Sequence, residues 1–504
     1  MITRASTTGT DGPYESSPAA ALRAIGEHRD ALLLDLDETL YLRNSSEDFI
    51  DSARPAVLAR VLLRLLDVLK PWRATRGPPT RDVWRVAAIM TFFPWTFWVW
   101  KRRARALAKR FSNDTLIAAV RRSAARPCIV TVGFRPIVRP LLEAMGLARA
   151  ELVAARWFAF EDRIRGKMDL AIRALGPTTV ERSLVVTDSK DDLPLLRRCA
   201  RPHRVTWPGA RFIPAHVGVY LPGDYLTKIK RPGTRYVFRS ILQEDFAFWV
   251  LSSVALRLEA APHTPWKTLG DGTVFIAGLS LLLLSFWAIY ERGYVDNDRI
   301  AARYERVPAL SKEYWTTTVP TSSRAAWCWA VSAGVAGASL LGSHAAPWLD
   351  SAKWLAVLAA THAIFWFYNR IDKSTRVWLY GGLQFARSAA FVVLVPISTV
   401  GAMALASHIL SRWVPYFTYR FESKKSWPQV PSNTTRLLFL SILSGLVMIT
   451  SGAGSVINAT GLAVWALCTY RAIPELKTIL RTAHRIDHHD EPPSPRREQE
   501  GIQP

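Results

Sequence analysis

From residue 30 to about 222, short apolar runs alternate with longer helical stretches, and from 239 onward long apolar segments follow one another with only loops between them. The first pattern is that of repeated strand–helix–strand units and predicts a parallel sheet. Strands are expected at Ala31–Leu34, Cys128–Val132, Leu152–Ala155, Ser183–Thr187 and His203–Thr206. The stretch from about 41 to 127 carries no strand pattern and predicts a helical insertion. Within it, Phe92-Phe93-Pro94-Trp95-Thr96-Phe97-Trp98-Val99-Trp100 precedes Lys101-Arg102-Arg103. An aromatic face with a basic flank suits either the buried core of the insertion or contact with lipid headgroups. Pro94 interrupts the run and argues against a full membrane span.

The second pattern predicts an all-α polytopic membrane domain over 239–480. Its apolar segments are 239–257, 272–290, 325–343, 354–368, 378–397, 399–411, 435–452 and 455–473, or about eight spans. Residues 223–238 read as a basic linker containing Lys228, Lys230, Arg231 and Pro232. Residues 1–29 are polar and then mildly helical, with the first part expected to be disordered. The charged, Pro-rich tail 481–504 is expected to be disordered too, with His484, His488 and His489 solvated rather than metal-bound.

Composition agrees with a membrane protein: 49% of residues are hydrophobic and 20 are Trp. The net charge of +24 calls for an anionic partner, either a membrane surface or an acidic substrate. No nucleic-acid-binding motif accompanies that charge, so no nucleic acid is expected. Basic residues concentrate in loops 291–324, 369–377 and 412–434, whereas the intervening loops carry only Lys267 and Lys353. The positive-inside rule then puts those basic loops, both termini and the α/β domain in the cytoplasm of a multi-pass inner or plasma membrane protein. Cys128, Cys199, Cys328 and Cys468 are scattered without metal spacing and fit a reducing compartment. No signal peptide is expected.

The chemistry begins at the first strand. Asp30-Ala-Leu-Leu-Leu-Asp35-Leu-Asp37-Glu-Thr-Leu places carboxylates at a strand's C-terminal end, where open α/β sheets bind ligands. Three later pieces can converge on them: Thr131 near the end of the second strand, Lys167 in Arg165-Gly166-Lys167, and Asp188 and Asp192 after the fourth strand. A carboxylate can attack phosphorus, and a second can move the leaving group's proton. A hydroxyl and an ammonium can hold phosphoryl oxygens, and further acids suit Mg²⁺.

These motifs resemble the haloacid dehalogenase (HAD) superfamily over roughly 30–210. The resemblance implies an α/β HAD-like fold, a Rossmannoid parallel sheet with a helical C1-type cap, over 30–222. It implies Asp35 as nucleophile, Asp37 as acid/base, and Thr131 and Lys167 as phosphate-binding residues. Asp35, Asp37, Asp188 and Asp192 are the implied Mg²⁺ site. For the second motif, an alignment two residues later would put Gly133 in place of Thr131.

In the second half, Asn297, Asp298 and Glu305 follow an apolar segment, and Tyr368 and Arg370 follow a later one. This spacing resembles the first motif of the UbiA family of membrane prenyltransferases, with Ala301 in place of its middle aspartate. The resemblance makes Asn297, Asp298, Glu305, Tyr368 and Arg370 the candidate membrane-domain site and a polyprenyl lipid the partner. The family's second aspartate cluster should fall in loop 412–434, which instead has Glu422 among Arg420, Lys424 and Lys425. Such a basic loop could hold phosphate directly.

Three functions are therefore open. The first is a membrane enzyme joining a Mg²⁺-dependent phosphomonoester hydrolase to a polyprenyl (phosphate) transferase, as in polyprenyl-linked sugar or cell-envelope synthesis. Its substrate would be a phosphorylated small molecule or a lipid-linked phosphate. The second is a phosphatase with a lipid-binding anchor that lacks transferase activity. The third is a membrane scaffold.

Overall fold

A computed structural model describes residues 14–233, 235–260, 269–342, 346–372, 375–421 and 431–482. Glu422, Lys424 and Lys425, the tail histidines and residues 1–13 lie outside the described residues. The chain divides into two compact units, Met1–Leu221 and Pro222–Pro504.

The first unit is built on a wholly parallel five-stranded sheet. Its strands are β1 (Ala31–Leu34), β2 (Arg126–Phe134), β3 (Glu151–Ala155), β4 (Leu184–Thr187) and β5 (Arg201–Arg204), in the spatial order β3-β2-β1-β4-β5. Each expected strand is present, with the last starting two residues earlier than the pattern suggests. Both faces are covered, so the strands read as near-continuous apolar runs. Leu32 and Leu34 of β1 pack on one face with Ile129, Val186 and the buried side of the insertion. Leu33 points to the other face, against Val130, Val185, Leu170 and Leu195.

The insertion is helical, as expected, with helices Ser45–Ile50, Ala56–Leu69, Arg81–Phe92, Thr96–Phe111 and Asp114–Arg122. Pro94 lies in the break between the third and fourth of these. The aromatic run is divided: Phe92 is exposed, Phe93 is buried, and Trp100 is fully buried and donates Nε1–H to the Ile137 carbonyl at 3.0 Å. Trp95 and Trp98 remain exposed.

The second unit is helical. Its main helices are Val237–Phe246, Ala247–Ala260, Leu269–Tyr304, Ser323–Leu341, Pro347–Tyr368, Val377–Ala389, Thr399–Phe421, Ser432–Ser451 and Ala459–Thr482. Close approach is bought by small residues: a Cβ on Gly293 would stand 2.3 Å from the Phe365 ring. The expectation of about eight spans is corrected here. Among the described residues, two helices are long and apolar enough to cross a membrane, Gly270–Tyr304 and Ser432–Ser451. Ala247–Ala260 and Val377–Ala389 hold 14 and 13 residues, short of the roughly 20 that a bilayer core requires. Ala459–Thr482 carries Arg471, Glu475 and Lys477, which dilute its apolar character.

Candidate functional site

β1 is the central strand, and its register sets the site. Leu34 pairs with Ile129 of β2 and Val186 of β4. Asp35 continues the ladder by donating its N–H to the Val186 carbonyl at 2.9 Å. Asp35, Thr131 and Thr187 therefore leave the sheet at neighbouring levels, at the C-terminal edge where parallel sheets bind ligands. Lys167 arrives from the helix that follows β3. The preceding Gly166 has φ +79°, a left-handed conformation that kinks the helix Phe160–Leu175 and that glycine adopts without a Cβ penalty.

Asp35, Asp37, Thr131, Lys167, Asp188 and Asp192 all line one cavity of about 710 Å³. Gly133 is not on its wall. Its N–H instead donates to Thr131 Oγ1 at 2.9 Å. Lys167 Nζ lies 2.6 Å from Asp35 Oδ2 and 2.6 Å from Asp192 Oδ2. Thr187 Oγ1 bridges the same carboxylates, 3.1 Å from Asp35 and 2.5 Å from Asp192. The other Asp35 oxygen accepts from the Leu36 N–H at 2.7 Å. Asp37 accepts from the Ser45 N–H at 2.7 Å, and Asp188 from Thr39 Oγ1 at 3.2 Å.

Burial pushes the Asp35 carboxyl up to about 7; Lys167 opposes the shift, and Asp192 and Asp188 add to it. Burial and then the neighbouring Asp35 push Asp37 up to about 6. Burial also takes Asp188 to about 6, against the pull of Lys167. Lys167 is desolvated too, yet Asp35 and Asp192 hold its ammonium well above the ordinary lysine range. The site is thus acid-rich: six acids line the cavity against Arg163, Arg165 and Lys167, and Lys167 is the cation in contact with Asp35.

That excess of acids is the observation by which Mg²⁺ fits. Among the described residues no cluster of three or more His, Cys, Asp or Glu side chains is placed to hold a metal. Mg²⁺ does not require such a cage, because it is commonly held by one or two carboxylates plus water and substrate phosphate. Asp35 and Asp188 supply hard oxygen on one wall of the cavity. Asp35 and Asp192 each have Oδ2 engaged by Lys167 and Thr187.

Sequence reasoning gave no role to Thr187, Thr39, Ser45 or Arg163. Thr187 directly precedes Asp188 at a strand end, which is the one local signal that marks it. Arg163 also lines the cavity and ties the insertion to the sheet: it donates to the Val132 carbonyl at 2.8 Å and the Pro79 carbonyl at 3.3 Å, and pairs with Asp82.

The helical unit's candidates are partly gathered. Asn297, Glu305 and Tyr368 line a second cavity, of about 680 Å³. Asp298 is buried beside them, accepting from Tyr225 Oη at 2.9 Å and Lys230 Nζ at 2.5 Å. Arg370 is exposed and lies 4.2 Å over the Trp366 ring, lining a separate hollow that Glu305 also reaches.

Residues 32–197 match the family described as haloacid dehalogenase-like hydrolase. The first unit thus contains a HAD-like hydrolase domain, a class of protein that generally uses Mg²⁺ and supports phosphatase-type activity. No curated protein and no solved structure matches the chain.

Proposed function

We propose that the HAD-like domain is a Mg²⁺-dependent phosphomonoester hydrolase with Asp35 as nucleophile. The observation that carries this reading is the shared contact of Lys167 with Asp35 and Asp192, 2.6 Å from each, in a cavity also lined by Asp37, Thr131 and Asp188. A carboxylate oxygen of Asp35 attacks phosphorus, and the ester P–O bond breaks as Asp37 gives its proton to the leaving oxygen. Asp37 then takes a proton from water, which attacks the aspartyl-phosphate, releases inorganic phosphate and restores Asp35. A carboxyl near 6 suits that exchange at neutral pH. Lys167 and Thr131 hold phosphoryl oxygens, and Asp192 and Thr187 orient Lys167. Asp35 and Asp188 would hold Mg²⁺, which would supply charge stabilisation to the transferring phosphoryl group. The test is phosphate release from p-nitrophenyl phosphate by the full chain with Mg²⁺. Activity that persists in Asp35→Asn would sink the assignment.

The helical unit belongs to the same proposal as a membrane-embedded, lipid-binding part, oriented by its basic loops with both termini cytoplasmic. Its two long apolar helices and many exposed large hydrophobics support this reading. Polyprenyl transfer through Mg²⁺ and a diphosphate needs Asp298 available, but Lys230 and Tyr225 engage it, and the third position of the motif is Ala301. Those contacts favour the reading without transferase activity. Prenyl transfer that survives Asp35→Asn and is lost in Asp298→Ala would instead establish the transferase.

A further inference from the structure

Among the described residues, the cavity of the helical unit has a charge imbalance that its own side chains do not resolve. Two ion pairs on its wall are matched, Lys230 with Asp298 at 2.5 Å and Arg387 with Asp245 at 2.6 Å. Arg376 and Arg412 line the same cavity. Arg376 is 7% exposed, and among the described residues no carboxylate pairs with it. Its guanidinium stands 4.4 Å over the Tyr368 ring and 3.5 Å from the Tyr368 carbonyl, while its Nε has no partner.

Arg412 is also under-matched. Its carboxylates, Glu244 and Asp245, lie 3.7 and 3.6 Å away, and its buried Nε is unpartnered. Glu244 is already taken by Arg436 at 2.5 Å and shared with Arg471 at 3.4 Å, and Asp245 is taken by Arg387. Glu244 and Asp245 thus serve Arg387, Arg412, Arg436 and Arg471. Glu305 is the sole acid on the cavity wall among the described residues. A buried surplus of guanidinium is costly unless an anion meets it.

We propose that this cavity binds a phosphate-bearing ligand directly on Arg376 and Arg412, without a metal. Guanidinium matches phosphate oxygens in a bidentate way and is weakly hydrated, so it suits a partly buried anion. A divalent cation would enter a site already in cationic surplus, where Coulomb repulsion disfavours it. Tyr368 and Tyr416, joined by a 2.9 Å hydroxyl contact, add polar groups to the wall. At about 680 Å³ the cavity exceeds a bare phosphate and leaves room for more than the anion. The remainder of the ligand is either a lipid chain or a soluble moiety such as a second phosphoryl group.

The test uses full-length protein in detergent, in an Asp35→Asn background and in EDTA, titrated with dodecyl phosphate and separately with pyrophosphate. At least one probe is expected to bind in EDTA, with affinity reduced tenfold or more by Arg376→Gln or Arg412→Gln in protein of unchanged melting temperature. Arg376→Lys should recover part of that loss. Preference for dodecyl phosphate marks a lipid ligand; equal or better binding of pyrophosphate marks a soluble one, and either supports the site. No binding of either probe in EDTA overturns it. Binding unaffected by both glutamine variants, or binding that requires Mg²⁺ and is lost in Asp298→Asn, overturns it as well.

Discussion

Lys167 Nζ stands 2.6 Å from Asp35 Oδ2, both side chains nearly buried, and Asp192 faces the same ammonium at the same distance. A single cation thus neutralises part of an acid cluster that burial would otherwise protonate. It also sits where the oxygens of a phosphoryl group attacked by Asp35 would pass.

Lys167→Met should lower kcat/KM on p-nitrophenyl phosphate by about 10²–10³-fold, the usual cost of losing one charge-stabilising donor. Lys167→Arg should not restore full activity, because a planar fork does not replace a compact ammonium. Activity within threefold of the parent in Lys167→Met would refute the role.

Thr187→Val removes the hydroxyl that bridges Asp35 and Asp192 while keeping the shape. The expected result is a loss of about tenfold in kcat and about 2 kcal/mol in stability, as for a buried hydrogen bond to a charged group. Steady-state kinetics and urea melts on the same preparation read both.

Stability without metal should depend on pH in a stated direction. Asp37 rises from 3.8 to about 6 and Asp35 from 3.8 to about 7, so the folded state binds more protons than the unfolded state between those values. Their contribution is fully present below about 4 and is lost as pH rises through 6 to 7. Asp37→Asn should flatten that decline in metal-free melts. Mg²⁺ should stabilise the parent most at the upper end of the window, where the acids are ionised. A parent and an Asp37→Asn variant with parallel pH profiles would contradict the assignment.

Arg163→Gln should loosen the insertion, because Arg163 joins Asp82 and the Pro79 carbonyl to the Val132 carbonyl of β2. A cost of about 2 kcal/mol is expected for a largely buried pair with carbonyl bonds. Faster hydrogen exchange over Arg81–Phe92, with β1 unchanged, would identify the effect as local.

The sheet was legible because a strand buried on both faces writes itself as a continuous apolar run. Asp35, Asp37 and Asp188 stand out at the ends of such runs. The contacts of Thr187 with Asp35 and of Arg163 with Asp82 and Val132 were not legible, because those partners lie far away in the chain. Thr131 against Gly133 could not be chosen by spacing; of the two, Thr131 lines the cavity.

The helical half shows the limit of hydropathy. Ser323–Leu341 and Pro347–Tyr368 are rich in small, aromatic and polar residues, so their length alone does not make them spans. Asp298 shows the limit of motif spacing, because an acid placed for a metal is also placed for a lysine, and Lys230 occupies that place.

By itself the sequence determined the strand–helix alternation, the acids at the strand ends and the basic surplus, all properties of local order and composition. Tertiary structure alone decided which charges neutralise one another. Ion pairing depends on distances of a few ångströms between elements that the fold, not the chain order, brings together. In the first unit that pairing leaves Lys167 among acids; in the second it leaves Arg376 without one among the described residues.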